Sequence, residues 1–340
     1  MEPRVLRWLP LFALMSCLLP AAAAGAPDTN ALAEARSWLA RINAAGLTGN
    51  YQGTLVLRVG DMMSSSRVVH FAVGDNTYEL LEALDGDQQR ILRHNEDVTT
   101  LRPKTRAALV ERREALGAAV TTPQAVDPLA LEQYDFRREG LERMAGREAV
   151  VILLEPRDLL RYAQRLWADQ ASGLMLRADV MGPVPAGGGA RPTLETTQFS
   201  EVSVGIRPQP DIVMQDLRNP RLLEGYKVAR PQLQRTTLDA EGFEIRRKVP
   251  GFTLAGCVRR GLESSAESPV LQAVFTDGLT HVSLFVEPYK AVRHGAEMRA
   301  QMGAAGTLTQ RRGNLWVTVV GDVPLATLKL FADAVERKTP

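Results

Sequence analysis

Four histidines, one cysteine beyond the first two dozen residues and scattered carboxylates are the side chains of this 340-residue chain best suited to chemistry. His70 and His94 could meet across a sheet and ligate a metal. They read more simply as two strand histidines at a surface or polar core edge, because the four histidines are scattered and lack ligand spacing. His281, between Thr280 and Val282, reads as a structural or interfacial residue, and His294 stands alone. Cys257 lies between Gly256 and Val258 in an apolar run and behaves there as a small core residue. Asp85 and Asp87 belong to a turn, where aspartate caps local backbone. A glycosidase would need two carboxylates facing a cleft, and no sequence pattern here places such a pair. G-x-S-x-G, G-x-x-x-x-G-K and H-E-x-x-H are all missing. No catalytic residue, metal ligand or cofactor site is therefore predicted, and an exported hydrolase has no residues to carry it.

The elements that would position these side chains begin behind a leader. Arg4 and Arg7 precede an apolar stretch from Trp8 to Leu19, and small residues Ala21–Ala26 follow. That is the layout of a secretory signal, with the cut expected after Ala24. The Leu14-Met15-Ser16-Cys17 run imitates a lipoprotein attachment site, but the apolar stretch ahead of it is short and Met15 fits poorly. Removing residues 1–24 leaves 316 residues and lowers the formal charge from +2 to +1, since Glu2, Arg4 and Arg7 leave together. So balanced a chain gives no basic face for nucleic acid. With 45% hydrophobic residues it can build real cores. Cys257 alone remains, so no internal disulfide can form. The expectation is an exported, periplasmic protein.

Leu32, Ala35, Leu39 and Ile42 recur at helical steps and predict a helix over Asp28–Ala45. From Asn50 the period becomes two. Leu55, Leu57 and Val59 share one strand face with Tyr51 and Gly53, while Gln52, Thr54 and Arg58 share the other. Strands are predicted at 67–73, 77–83, 89–94, 98–102 and 107–112, separated by Gly-, Asp- and Asn-rich turns. Short helices are expected within 121–133, then strands at 134–141, 149–155, 161–168, 174–181 and 194–204. Pro208, Pro210, Pro220 and Pro231 punctuate a stretch of little periodicity, so residues 207–232 read as a linker between a first domain (27–206) and a second (233–337). The second domain should hold strands at 243–249, 252–259, 270–276, 281–287, 308–311 and 315–320, and a closing helix over 325–336. Trp38, Trp167 and Trp316 sit in apolar-periodic elements and should pack in cores. The first domain's sheet is too long to bury both faces against one helix. It must curl, and a curled sheet can enclose a pocket.

Several motifs, in order, resemble the MucB/RseB regulators of envelope stress. They are Val249-Pro250-Gly251-Phe252; Val274–Leu279 with Val282–Val286; and Trp316–Pro324. In the first domain Asn50-Tyr51-x-Gly53-Thr54, Leu84-Asp85-Gly86 and Trp167-x-Asp169-x-x-Ser172-Gly173-Leu174 also fit. The likeness runs from about Leu32 to Val335; Thr276 stands for a usual serine and Asp322 for a usual glutamate. It implies an α+β chain. The first domain would be a half-open antiparallel β-barrel with covering helices, similar to lipoprotein carriers, and the second a smaller antiparallel α+β domain. It implies a partner, the periplasmic domain of a single-span anti-sigma factor, shielded from proteolysis, and a signal carried by lipid, lipopolysaccharide or lipoprotein acyl chains. Candidate lipid-cavity residues are Leu55, Leu57, Val59, Phe71 and Leu80. Candidate partner-binding residues are His281, Ser283, Arg311 and Arg312. A periplasmic lipid or lipoprotein carrier is the alternative, though it would not need the second domain. Self-association is left open.

Overall fold

A computed structural model describes residues 29–112, 128–262 and 269–338. The expected signal and the first part of the 121–133 helical patch lie outside the described residues.

Helix α1 spans Thr29–Thr48. It buries Ala35, Trp38, Leu39 and Ile42, the stripe that its three- and four-residue spacing demands. Eleven strands follow: β1 (Tyr51–Val59), β2 (Met62–Val73), β3 (Asn76–Ala83), β4 (Arg90–His94), β5 (Asp97–Arg102), β6 (Ala107–Arg112), β7 (Tyr134–Met144), β8 (Arg147–Pro156), β9 (Ala163–Asp169), β10 (Met175–Met181) and β11 (Thr193–Val204). Helix α2 (Asp211–Leu217) and β12 (Lys227–Ala229) complete the first unit. Its sheet runs β12-β6-β5-β4-β3-β2-β1-β11-β10-β9-β8-β7. Two antiparallel meanders are thus joined where β1 pairs with β11, and β12 alone runs parallel to its neighbour β6. The end strands β7 and β12 do not pair with each other, so the sheet stays open. It still curls: Met144 and Ala145 at the β7–β8 turn pack with Val68 and Leu81 of β2 and β3.

β2 starts five residues before the expected Arg67. Ser64, Ser65 and Ser66 pair with Leu57, Val56 and Leu55, so a partner strand overrides a weak local preference. Residues 207–232, read as the linker, carry α2 and β12. Val213 is fully buried with Val69, Phe71, Leu80, Leu92 and Leu101, and Ile212, Leu217, Leu222, Leu223 and Tyr226 pack around it. A seven-residue helix is too short to announce itself by periodicity.

The second unit holds β13 (Pro231–Arg235), β14 (Phe243–Ile245), β15 (Thr253–Leu262), β16 (Val270–Thr276), β17 (His281–Pro288), β18 (Met298–Met302), β19 (Ala305–Arg312), β20 (Leu315–Gly321), α3 (Leu325–Ala334) and β21 (Val335–Arg337). Seven strands form one sheet in the order β13-β15-β16-β17-β20-β19-β18. α3 covers one face, and Leu328, Phe331 and Ala332 pack against Leu271, Leu284, Val286, Leu308, Val317 and Val319. The closing helix ends two residues before the expected Glu336, because Val335–Arg337 extend and pair with β14.

Candidate functional site

The five cavity candidates do not line one surface. Leu55, Leu57 and Val59 project from one face of β1, the face that carries Ser66 and Ser64 on β2. Phe71 and Leu80 project from the opposite face. There they are 0% and 2% exposed, sealed beneath α2 and the 206–228 segment. The curled sheet's inside is filled where its large residues meet, by Tyr51, Val68, Trp167, Leu174, Leu176 and Phe199. Leu55 packs at the margin of that cluster, and Leu57 emerges into solvent at 37% exposure. A cavity of about 260 Å³ lies under the C-terminal turn of α1, lined by Ala44, Ala45, Thr48, Tyr51, Leu174 and Val204 among others. A larger one, about 720 Å³, opens beside the β7–β8 turn. Its wall is mixed, with Gln52, Thr54, Arg67, Ser200, Glu201 and Ser203 beside Leu84, Ala145 and Val202.

Three of the four partner candidates share a surface. Register through β17, β20 and β19 places His281, Ser283 and Arg311 on the sheet face away from α3. His281 and Arg311 sit at opposite ends of it, about 20 Å apart by strand rise. His281 is half-buried; burial lowers its pKa, against the pull of Asp277 and Asp322. The Arg311 guanidinium lies 4.0 Å from the Tyr289 ring centre. Arg312 points to the other face and bonds Asp333 at 3.2 Å and Glu336 at 3.4 Å. Its charge is committed to the end of α3.

His70 and His94 likewise lie on opposite faces. His70 Nδ1 sits 2.6 Å from the Gly49 carbonyl, and its ring stacks on Tyr51 at 4.9 Å. His94 stacks on Tyr78. Cys257 is buried, and burial pushes its thiol up to about 11, so almost no thiolate exists near neutrality.

What the sequence did not reveal is the junction between the two units. Arg161 and Asp277 are both fully buried there, with Nε to Oδ2 at 2.9 Å. Tyr134 donates its hydroxyl to the same Oδ2 at 3.2 Å, and burial next to Asp277 raises the phenol pKa well above its usual value. Arg161 also bonds Asp158 at 2.6 Å and the Pro250 carbonyl at 2.9 Å, and lies over the Phe252 ring. The second carboxylate oxygen of Asp277 accepts the amides of Leu279 and Thr280. Each donor is matched, as a buried pair requires. The glycines of two motifs belong to this joint. Gly251, at φ +74°, leaves room for Gln133 and Arg161, and Gly278, at φ +92°, lies against the Ala130 backbone. Thr327 donates to the Leu160 carbonyl, Gln301 to the Tyr162 hydroxyl, and Arg260 pairs with Glu111 at 2.7 Å. The signal was present in part: Asp277-Gly278 reads only as a turn, and Arg161 only as the start of a strand, because the two stand 116 residues apart in the chain.

An open curled sheet joined through a buried ion pair to a smaller, helix-backed sheet defines a two-domain, sheet-based binding scaffold. Comparison with known proteins agrees. The chain belongs to the MucB/RseB family: the MucB/RseB N-terminal domain matches residues 34–220, and the MucB/RseB C-terminal domain matches residues 237–336. It is similar to the sigma factor AlgU regulatory protein MucB of Pseudomonas aeruginosa, 29% identical over 317 residues, covering 90% of this chain and 92% of that protein. Among solved structures, it resembles the complex of Pseudomonas aeruginosa MucA/MucB at TM-score 0.65 and 25% identity, covering 90% of this chain and all of that one. It also resembles MucB in complex with MucA(peri), at TM-score 0.62 and 26% identity, with 89% and 99% covered.

Proposed function

We propose that this chain is a periplasmic regulator that binds the periplasmic domain of a single-span anti-sigma factor and shields it from proteolysis, holding an envelope-stress sigma factor inactive. One observation carries this reading. The likeness to MucB, crystallised with MucA, spans both domains and the junction between them, not the first domain alone. A carrier of lipids or lipoproteins would not need the second sheet. The action is stoichiometric masking: Cys257 is a buried, protonated thiol, and His70, His94 and His294 are stacked on Tyr51, Tyr78 and Trp316.

On the same reading the first domain senses an acyl chain along the face of Leu55, Leu57 and Val59, beside the small cavity under α1. The buried joint supplies the link. A lipid that favours one arrangement of the domains weakens partner binding by the factor by which the partner weakens lipid binding.

The test titrates the purified protein against a fixed amount of the anti-sigma periplasmic region and its first protease. Cleavage should fall in proportion to occupied partner and cease near one equivalent. Full protection far below one equivalent would show a catalytic activity and refute masking. For the lipid arm, Leu57→Asp should weaken binding of a fluorescent fatty acid at least tenfold while leaving stability nearly unchanged, since Leu57 is already exposed.

A further inference from the structure

The edges of the two large sheets are treated very differently. An edge strand presents a row of unpaired N–H and C=O groups, which proteins blunt with charge, proline, bulges or brevity. β7 is interrupted by a bulge between Arg138 and Gly140 and is studded with charge, one of which, Arg138, is tied to Glu34 of α1. β12 is three residues long. β13 opens on Pro231 and lies beside β6. β18 is the least protected: its only charge is Arg299, and it has no proline or bulge. Met298-Arg299-Ala300-Gln301-Met302 is regular and free of proline and lysine, each of its residues is exposed, and among the described residues it pairs on one side only, with β19.

The register says which groups are open. Met302 and Ala305 flank a two-residue turn, and their pairing directs the backbone of Met302, Ala300 and Met298 toward β19. The N–H and C=O groups of Arg299 and Gln301 then point away from the sheet. Only another extended polypeptide satisfies donors and acceptors repeating at a two-residue spacing, so the occupant is a strand and not a lipid. Met298 at 49% and Met302 at 59% exposure offer apolar neighbours on one face, and Arg299 offers a cation on the other. At its far end, the turn after Met302 abuts the first domain, where Gly303 lies against Val59 and Leu194.

We propose that β18 is a strand-addition site, on which an extended segment of the anti-sigma partner pairs, setting apolar residues beside Met298 and Met302 and an acidic or hydroxyl residue beside Arg299. This rests on the partner assigned above and specifies how that partner is held. It also places the segment where it runs toward the domain contact, so a change at that contact is felt by the bound strand.

Arg299→Pro tests this with little cost to the fold, because it deletes an outward N–H that β19 does not use. Arg299→Gln keeps the N–H and removes only the charge. With the soluble periplasmic region of a MucA-type partner as probe, calorimetry should show at least tenfold weaker binding for Arg299→Pro and a change below about threefold for Arg299→Gln. Hydrogen exchange should show the amides of Arg299 and Gln301 slowing at least tenfold on binding. Tight binding by the wild type, with both variants unaffected and no new protection at these amides, overturns the strand-addition site and leaves the regulatory reading standing. No binding by the wild type refutes both. Protection that grows with protein concentration in the absence of partner assigns the edge to a second copy and refutes the proposal.

Discussion

Asp277→Asn is the most incisive perturbation of the joint between the domains. The substitution keeps the side chain's shape and its acceptor for the Leu279 and Thr280 amides, but removes the charge facing Arg161. Arg161 is fully buried, so its cation cannot recover water in place. Breaking a buried pair by removing one partner costs about 3–5 kcal/mol. Asp158 remains 2.6 Å from the guanidinium and is itself about one-third exposed, so part of the charge stays compensated. The expected loss is therefore near the lower end, about 3 kcal/mol. Urea unfolding followed by circular dichroism and tryptophan fluorescence measures it, since Trp38 and Trp167 report on the first domain and Trp316 on the second. With the joint weakened, the two signals should separate, the domains no longer unfolding as one. A cycle with Arg161→Met should return a coupling of at least about 1.5 kcal/mol, within the range for residues in one network. A loss below about 1 kcal/mol, with coupling near zero and coincident transitions, would refute the argument that this pair couples the domains.

Gly278→Ala should destabilise by about 2 kcal/mol or more, adding left-handed strain to a clash with the Ala130 backbone, whereas Gly187→Ala meets open space and should stay within about 0.5 kcal/mol in the same melts. Burial lowers the pKa of both His70 and His281 below the usual 6.5. Below that pH the unfolded chain binds more protons than the folded one, so stability is full above about 6.5 and falls with pH until the folded-state values are passed; His70→Gln should flatten that slope, and an unchanged slope would remove His70 from the account. Cys257, with its thiol pushed up to about 11, should resist a thiol reagent at pH 8 in the native protein and react at once in urea; rapid native labelling would contradict its burial.

The apolar stripe of α1, the alternation of β1 and the Gly- and Asp-rich turns between strands were legible in the sequence because each is a local pattern whose period is fixed by backbone geometry. So were the division into a large and a small unit, and the family likeness, carried by short motifs in order. What those motifs are for was not legible. Pro250-Gly251-Phe252 and Asp277-Gly278-Leu279 reveal themselves as parts of one joint only when Arg161 and Tyr134 are brought to them from over 80 residues away. The pairing of Ser64–Ser66, and the burial of Phe71 and Leu80 away from Leu55, likewise depend on which strand or helix arrives opposite. Arg311 and Arg312 are adjacent in sequence, yet alternation sends one to the open face and the other to the carboxylates at the end of α3. Periodicity says that two faces differ; only the tertiary fold, by deciding what covers each, says which one is left for a partner.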